Sequence, residues 1–389
     1  MRRHSILSIL LILSSAACVD RINFDIGSGG AFPVVIDGFI SDEPGPYIIR
    51  VSKAFDIESK FSIKTPISIK QLVLSDDQGV SEVLSEISNG VYKTDSTGIR
   101  GIVGRVYKLR VELLTGRVYE SIPDTLQSAG TVDSVYFNFT QGKVKIDGTT
   151  SYGFDVFFNS SAGSKSNNYF LWKFTGTYQV KTHPQFHRIA CATIADDCPN
   201  AVANCGCPQP LPCSGYIQVG SIYNLTYKSP CTCCSCWVKI YNSVPIISDR
   251  QFVEDGRFRD IRVHYVPLTP YTLMFKMHAE VKQLSLSHNA FSFWKAVKDQ
   301  KEATNSLFQP VTGRISANFK QISGPPGPVE GIFFAAGVSS KAIYIVPNDV
   351  PFPGLIPQDK PFPYVNKIDF GSCLDFPNST TKRPSFWVD

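Results

Sequence analysis

The chain has 389 residues, with 38 Lys and Arg against 33 Asp and Glu, for a formal net charge of +5. That length allows two to three domains. No Lys/Arg cluster appears, which argues against a nucleic-acid surface, and 12% aromatic residues with 26 Pro and 28 Gly suit stacked sheets with frequent turns.

The N-terminus carries the sharpest signal. Arg2 and Arg3 precede an apolar stretch from Ile6 to Leu13, broken by Ser8 and followed by Ser15, Ala16, Ala17 and Cys18. Residues 1–17 read as an export signal, too short for a transmembrane span. Small residues directly before a Cys resemble the bacterial lipobox, with Ser15 where that motif usually has Leu. On this reading Cys18 is lipidated and becomes the mature N-terminus. The alternative is an ordinary secretory signal. A single acyl chain holds a protein to a bilayer marginally, so a diacyl, palmitate-type anchor is expected. Loss of Arg2 and Arg3 lowers the formal charge from +5 to +3. Residues 18–32 then form a short tether, and no later apolar run is long enough to span a bilayer.

Residues 33–127 read as a first β domain. Val34 to Ile36 with Phe39 and Ile40 make a strand, "SDEPGP" a turn and "YIIRVSKA" a return strand. "ISIKQLVLSDDQG" adds another. In "RVYKLRVELLTGRVYES", Tyr107, Leu109 and Val111 alternate with Lys108, Arg110 and Glu112, the period of a half-buried strand. Thr115 and Gly116 turn it back. Seven or so short strands suggest an immunoglobulin-like sandwich.

Residues 130–389 read as a second sandwich of the same immunoglobulin/fibronectin-like kind. "SVYFNF", "KVKIDG", "YGFDVFF" and "NYFLWKFTGTYQV" are successive strands, with Phe154, Val156 and Phe158 on one face and Phe170, Trp172 and Phe174 on another. A cysteine- and proline-rich insert, 183–237, interrupts them. Strands resume at "FRDIRVHYVPL" and "YTLMFKMHAEVKQLSLS". A helix is expected near 288–301, capped by Ser287, with Ala290, Phe293, Trp294 and Val297 at amphipathic spacing. "LFQPVTGRISANF" and "GIFFAAGVSSKAIYIV" supply later strands.

Apart from Cys18, ten of the 11 cysteines remain: Cys191, Cys198, Cys205, Cys207, Cys213, Cys231, Cys233, Cys234, Cys236 and Cys373. Export places them where thiols oxidise, and an even count suits disulfides. Zinc normally takes two well-separated Cys pairs, and "CTCCSC" is spaced more tightly. Cys231 and Cys234 have redox spacing without the thioredoxin-like setting. Disulfides are therefore the expectation, holding a loop too rich in Pro and Gly to bury a core. His183 and His187 in "HPQFHRIAC" offer a weaker metal-site alternative, with Pro184 interrupting the helix that would align them. No cofactor is implied. There is no nucleophile elbow, P-loop or zinc-protease motif. Asp76/Asp77 and Asp196/Asp197 read as turn carboxylates rather than an acid/base pair.

The runs "VVIDGFISDEPGPYIIRVSKA", "GRVYKLRVELLTGRVYES", "FSFWKAVKDQ…LFQPVTGRISANF…GIFFAAGVSS" and "SCLDF…TKRPSFW" occur in that order. Together they resemble the bacterial lipoproteins of domain of unknown function 4249. Cys373 departs from that family's tail, because Phe376 stands where a second Cys is usual. The resemblance implies a lipid-anchored outer-membrane protein of Bacteroidota, facing the cell surface and often encoded beside a TonB-dependent transporter. It implies no activity. In that bacterial group a short Asp-Ser/Thr-apolar motif is O-glycosylated, which makes Thr125 and Ser134 candidates. The expected role is a non-catalytic accessory subunit of a transporter or other outer-membrane complex. The alternative is a cell-surface hydrolase, such as a glycosidase, without a recognisable motif.

Overall fold

The computed structural model describes residues 33–54, 67–144, 150–163, 168–190, 206–219, 225–248, 253–269, 271–303, 315–355 and 371–388. The signal, Cys18 and the tether lie outside these residues. The chain is mainly β. In order, the strands are β1 (Val34–Ser41), β2 (Ile48–Lys53), β3 (Ile69–Asp76), β4 (Ser81–Val83), β5 (Ser85–Ser88), β6 (Val91–Lys93), β7 (Val106–Leu113), β8 (Val118–Ser121) and β9 (Asp124–Thr125). Then follow β10 (Thr131–Val144), β11 (Thr150–Ser161), β12 (Phe170–Lys181), β13 (Arg188–Ala190), β14 (Gly206–Pro208), β15 (Tyr216–Gln218), β16 (Leu225–Tyr227), β17 (Ser235–Tyr241), β18 (Ile246–Ile247), β19 (Val253–Glu254), β20 (Arg257–Pro267) and β21 (Met277–Ser285). Helix α1 (His288–Ala303) precedes β22 (Phe319–Ser323), β23 (Val329–Ala336), β24 (Val338–Ile345) and β25 (Ser379–Thr380). No helix among the described residues is long and apolar enough to cross a membrane.

Two pairs of sheets face each other. In the first sandwich, β23-β1-β2-β6-β5 opposes β22-β8-β7-β3-β4, with β9 beside β7. Ile36, Ile49 and Val51 from one sheet meet Leu74, Leu109 and Val111 from the other in a common core. The alternation in β7 has the expected outcome: Tyr107, Leu109, Val111 and Leu113 are buried, and the charged residues between them face outward.

β22 and β23 come from far along the chain, beyond the 127/130 boundary drawn from sequence. They nevertheless complete the first sandwich. β22 pairs with β8, and β23 lies parallel to β1 from Val34↔Val329 to Ser41↔Ala336. The composition of β23 explains this. Its run Ile332 to Ala336 is buried throughout, as suits a strand covered on both faces. Phe333 and Ala335 enter the first core, while Ile332, Phe334 and Ala336 enter a separate cluster behind it. Gly331 permits the close pairing: its φ is +96°, and a Cβ there would stand 2.0 Å from the Ile36 carbonyl oxygen.

In the second sandwich, β10-β11-β20-β19 opposes β24-β21-β12-β17-β25, with β18 also on β12. Phe154, Val156 and Phe158 interleave with Phe170, Trp172 and Phe174. The Trp172 indole N–H donates to Gln283 Oε1 at 2.7 Å, so this deep ring leaves no orphan donor.

The chain passes from the first sandwich to the second at residues 127–130 and again at Gly337, returning between them after β21 by way of helix α1. These two passages in the same direction lie together: Gly337 N donates to the Gln127 carbonyl at 3.0 Å, and Ser285 Oγ donates to the same carbonyl at 2.6 Å. Helix α1 packs over them. Ser287 caps it, accepting from Ala290 N at 3.2 Å. Ala290, Phe291, Phe293 and Trp294 close the cluster of Leu171, Leu284, Ile332 and Phe334. A third apolar core thus joins the two sandwiches.

Candidate functional site

Strands β12 and β17 are antiparallel neighbours, paired from Lys181↔Ser235 to Thr175↔Tyr241. The insert is therefore a hairpin connection, drawn out into a cap at one end of the second sandwich. Within it, β13 pairs with β14 and β15 with β16, three residues each. Such short ribbons bury little, and other links hold the cap. Pro184 opens a one-turn 3-10 segment, Pro184–Phe186. Gly215, with φ +76°, lets the chain pass so close that a Cβ would meet the Ser229 carbonyl at 1.8 Å.

Covalent links supply the rest. Cys213 pairs with Cys233, Cys231 with Cys234 and Cys236 with Cys373. The "CTCCSC" run is thereby committed to disulfides. Adjacent Cys233 and Cys234 have different partners, on a bend that brings the Cα atoms of Cys231 and Cys234 to 5.8 Å. Cys236–Cys373 spans 137 positions and fastens the C-terminal segment to the cap. Cys373 N donates to the Cys233 carbonyl at 2.9 Å, and Thr182 N to that of Cys234 at 2.9 Å. A Cβ on Gly371 would stand 2.6 Å from the His187 ring, so the tail lies directly on the cap. Past it, β25 adds to the edge of β17, and Trp387 packs against Trp237 at 6.4 Å. Phe386 stacks on His278 at 4.1 Å, and burial pushes that imidazole below its ordinary pKa. Cys191, Cys198 and Cys205 lie outside the described residues. Cys207 sits in β14.

The other residues singled out by sequence go to separate places. His187 Nδ1 lies 3.1 Å from the Gln209 carbonyl, and His183 stands beside the Phe186 ring. Among the described residues, no group of three or more His, Cys, Asp or Glu is placed to hold a metal. Asp76 and Asp77 both engage Arg105, at 2.5 and 2.6 Å, and this guanidinium holds the Asp77 carboxyl below the usual range. Asp76 Oδ1 also accepts from Gln78 N and Val80 N, closing a turn. Asp196 and Asp197 lie outside the described residues. Thr125 is half-buried in β9, and Ser134 in β10 accepts from Asn159 Nδ2 at 2.9 Å.

What the cap offers chemically is exposed apolar side chains on both faces of a cross-linked ribbon. Ile217 is 44% exposed and Tyr227 58%, on neighbouring strands of one hairpin, and Leu374 beside Cys373 is 52% exposed. Apolar side chains on a cross-linked loop can bury against a partner with little ordering cost. Sequence reading found the cross-links through the cysteine count. It missed these three side chains, because in an aperiodic stretch nothing marks which apolar residues face water. A family model described as Domain of unknown function (DUF4249) matches residues 19–342. No curated protein matches the chain.

Proposed function

The chain belongs to the domain of unknown function 4249 family, and from that premise we propose that it is an outer-membrane lipoprotein of Bacteroidota type. Cys18 carries the lipid, and the protein serves as a non-catalytic binding subunit beside a TonB-dependent transporter or another outer-membrane protein. The observation that carries this reading is the cap: a connection between two neighbouring strands expanded into a surface and locked by Cys213–Cys233, Cys231–Cys234 and Cys236–Cys373. Recognition surfaces are commonly loops positioned by a rigid scaffold. The tether 18–32 keeps such a surface near the bilayer, within reach of a barrel's external loops.

The experiment is in-cell cross-linking, gentle solubilisation of the native outer membrane and recovery through a tag at Asp389. A transporter recovered in near-equal amount, with release of the protein from membranes in Cys18→Ser, supports the proposal. Recovery of the protein alone, or a processed Cys18→Ser variant that still fractionates with membranes, contradicts it.

A further inference from the structure

The junction between the sandwiches holds a cleft of about 310 Å³, at the small end of the range for small-molecule sites, about 300–1,000 Å³. Asp37 and Phe39 of β1 and Arg50 of β2 form one wall, and Lys173 of β12 forms the other. Trp294 of α1 and Phe334 of β23 close the apolar end. The register explains the first wall: Asp37 and Arg50 are direct cross-strand neighbours on the outer face of their sheet.

Lys173 is the unusual member. It lies on the outer face of its sheet, where Lys282 is its cross-strand neighbour. The first sandwich and helix α1 then leave it half-buried. Its ammonium sits 4.8 Å from the centre of the Phe39 ring and 6.0 Å from that of Trp294. Among the described residues it makes no hydrogen bond, and no ion pair within 4.0 Å. Glu43, the nearby carboxylate able to neutralise a lysine, is bound to Lys282 at 2.7 Å. Asp37 attracts Lys173 electrostatically but reaches neither it nor Arg50 as an ion pair within 4.0 Å. Asp37 is surrounded by protein yet keeps a solvent-accessible face, because it looks into the cleft. Burial pulls the Lys173 pKa down and pushes the Asp37 pKa up, as it does for charges without direct partners. A half-buried ammonium without a charged partner in contact carries part of the cost of burying a charge, and a leucine would fill this outer-face position without that cost.

Two charges of opposite sign, each without a hydrogen-bonded or ion-paired protein partner, therefore face a small cavity, beyond direct reach of each other, with aromatic rings at one end. We propose that the cleft binds a free α-amino acid with an apolar side chain. Its carboxylate would meet Lys173 and Arg50, its ammonium Asp37, and its side chain Phe39, Trp294 and Phe334. This site is separate from the cap, so it stands or falls independently of the docking role.

The test is calorimetric titration of the full chain in detergent with L-phenylalanine and L-leucine. L-phenylalaninamide, which lacks the carboxylate, and N-acetyl-L-phenylalanine, which lacks the ammonium, serve as controls. Saturable binding of either amino acid is expected, weakened about tenfold or more in each derivative, in Lys173→Met and in Asp37→Asn, as loss of a charged hydrogen bond implies. Lys173→Met should melt at or above the wild-type temperature. If that variant fails to fold, Asp37→Asn and the two derivatives on wild type still decide. No saturable binding of either amino acid to folded wild type overturns the proposal. So does equal affinity for the derivatives, or for a folded variant.

Discussion

The two sandwiches are of similar architecture but are held by different means. The first, built from residues 33–127 and 315–336, contains no cysteine. Its sheets close over a continuous apolar core and are completed by distant strands β22 and β23. The second has an equally apolar core yet also carries three disulfides among its described residues, all gathered at the end where the chain leaves the β12–β17 ladder. The contrast teaches where cross-links are needed. A sheet face supplies its own burial, and ladder pairing satisfies its backbone. A cap of three-residue ribbons does neither, so its geometry rests on covalent closure.

The largest expected effect breaks the first kind of support. Phe333 is fully buried in the first core, so Phe333→Ala should cost about 3–5 kcal/mol in chemical denaturation. A loss under about 1 kcal/mol would mean that β23 is dispensable there. Next comes the second kind. Cys236→Ser with Cys373→Ser opens the loop of 137 positions and should cost about 2–4 kcal/mol. Amide exchange should quicken in 206–219, 225–234 and 371–388 and stay unchanged in β1, β2 and β7. Faster exchange across both sandwiches alike would erase the contrast. The smallest effect concerns the helix over the junction. Ser287→Ala removes its cap and should cost about 1 kcal/mol, read from the melting curve. A change indistinguishable from zero would show that packing of Ala290 and Trp294 alone fixes α1.

Much of this architecture is legible in local pattern. Period two marks β7, β11 and β12, and the Ser287 cap with its amphipathic spacing marks α1, because those signals depend on neighbours a few positions away. Partners across the chain are another matter. The run "GIFFAA" reads as a buried strand, but nothing in it names β1, some three hundred positions earlier, as its parallel partner. The cysteine count implies cross-links without saying that Cys373 belongs to Cys236. Lys173 reads as an ordinary outward-facing residue between Trp172 and Phe174. Its partial burial depends on Phe39 and Trp294, which no spacing connects to it.

The docking role proposed for the cap can be read from in-cell cross-linking and tag recovery on three chains side by side. Wild type, the doubly charged cap variant Ile217→Glu with Tyr227→Glu, and the cleft variant Lys173→Met should be equally folded and membrane-bound, since both cap side chains are exposed. A transporter should be recovered with wild type and Lys173→Met, and about tenfold less with the cap variant, the loss expected when central apolar contacts are removed. Equal recovery from all three chains, or no partner with wild type, would contradict it.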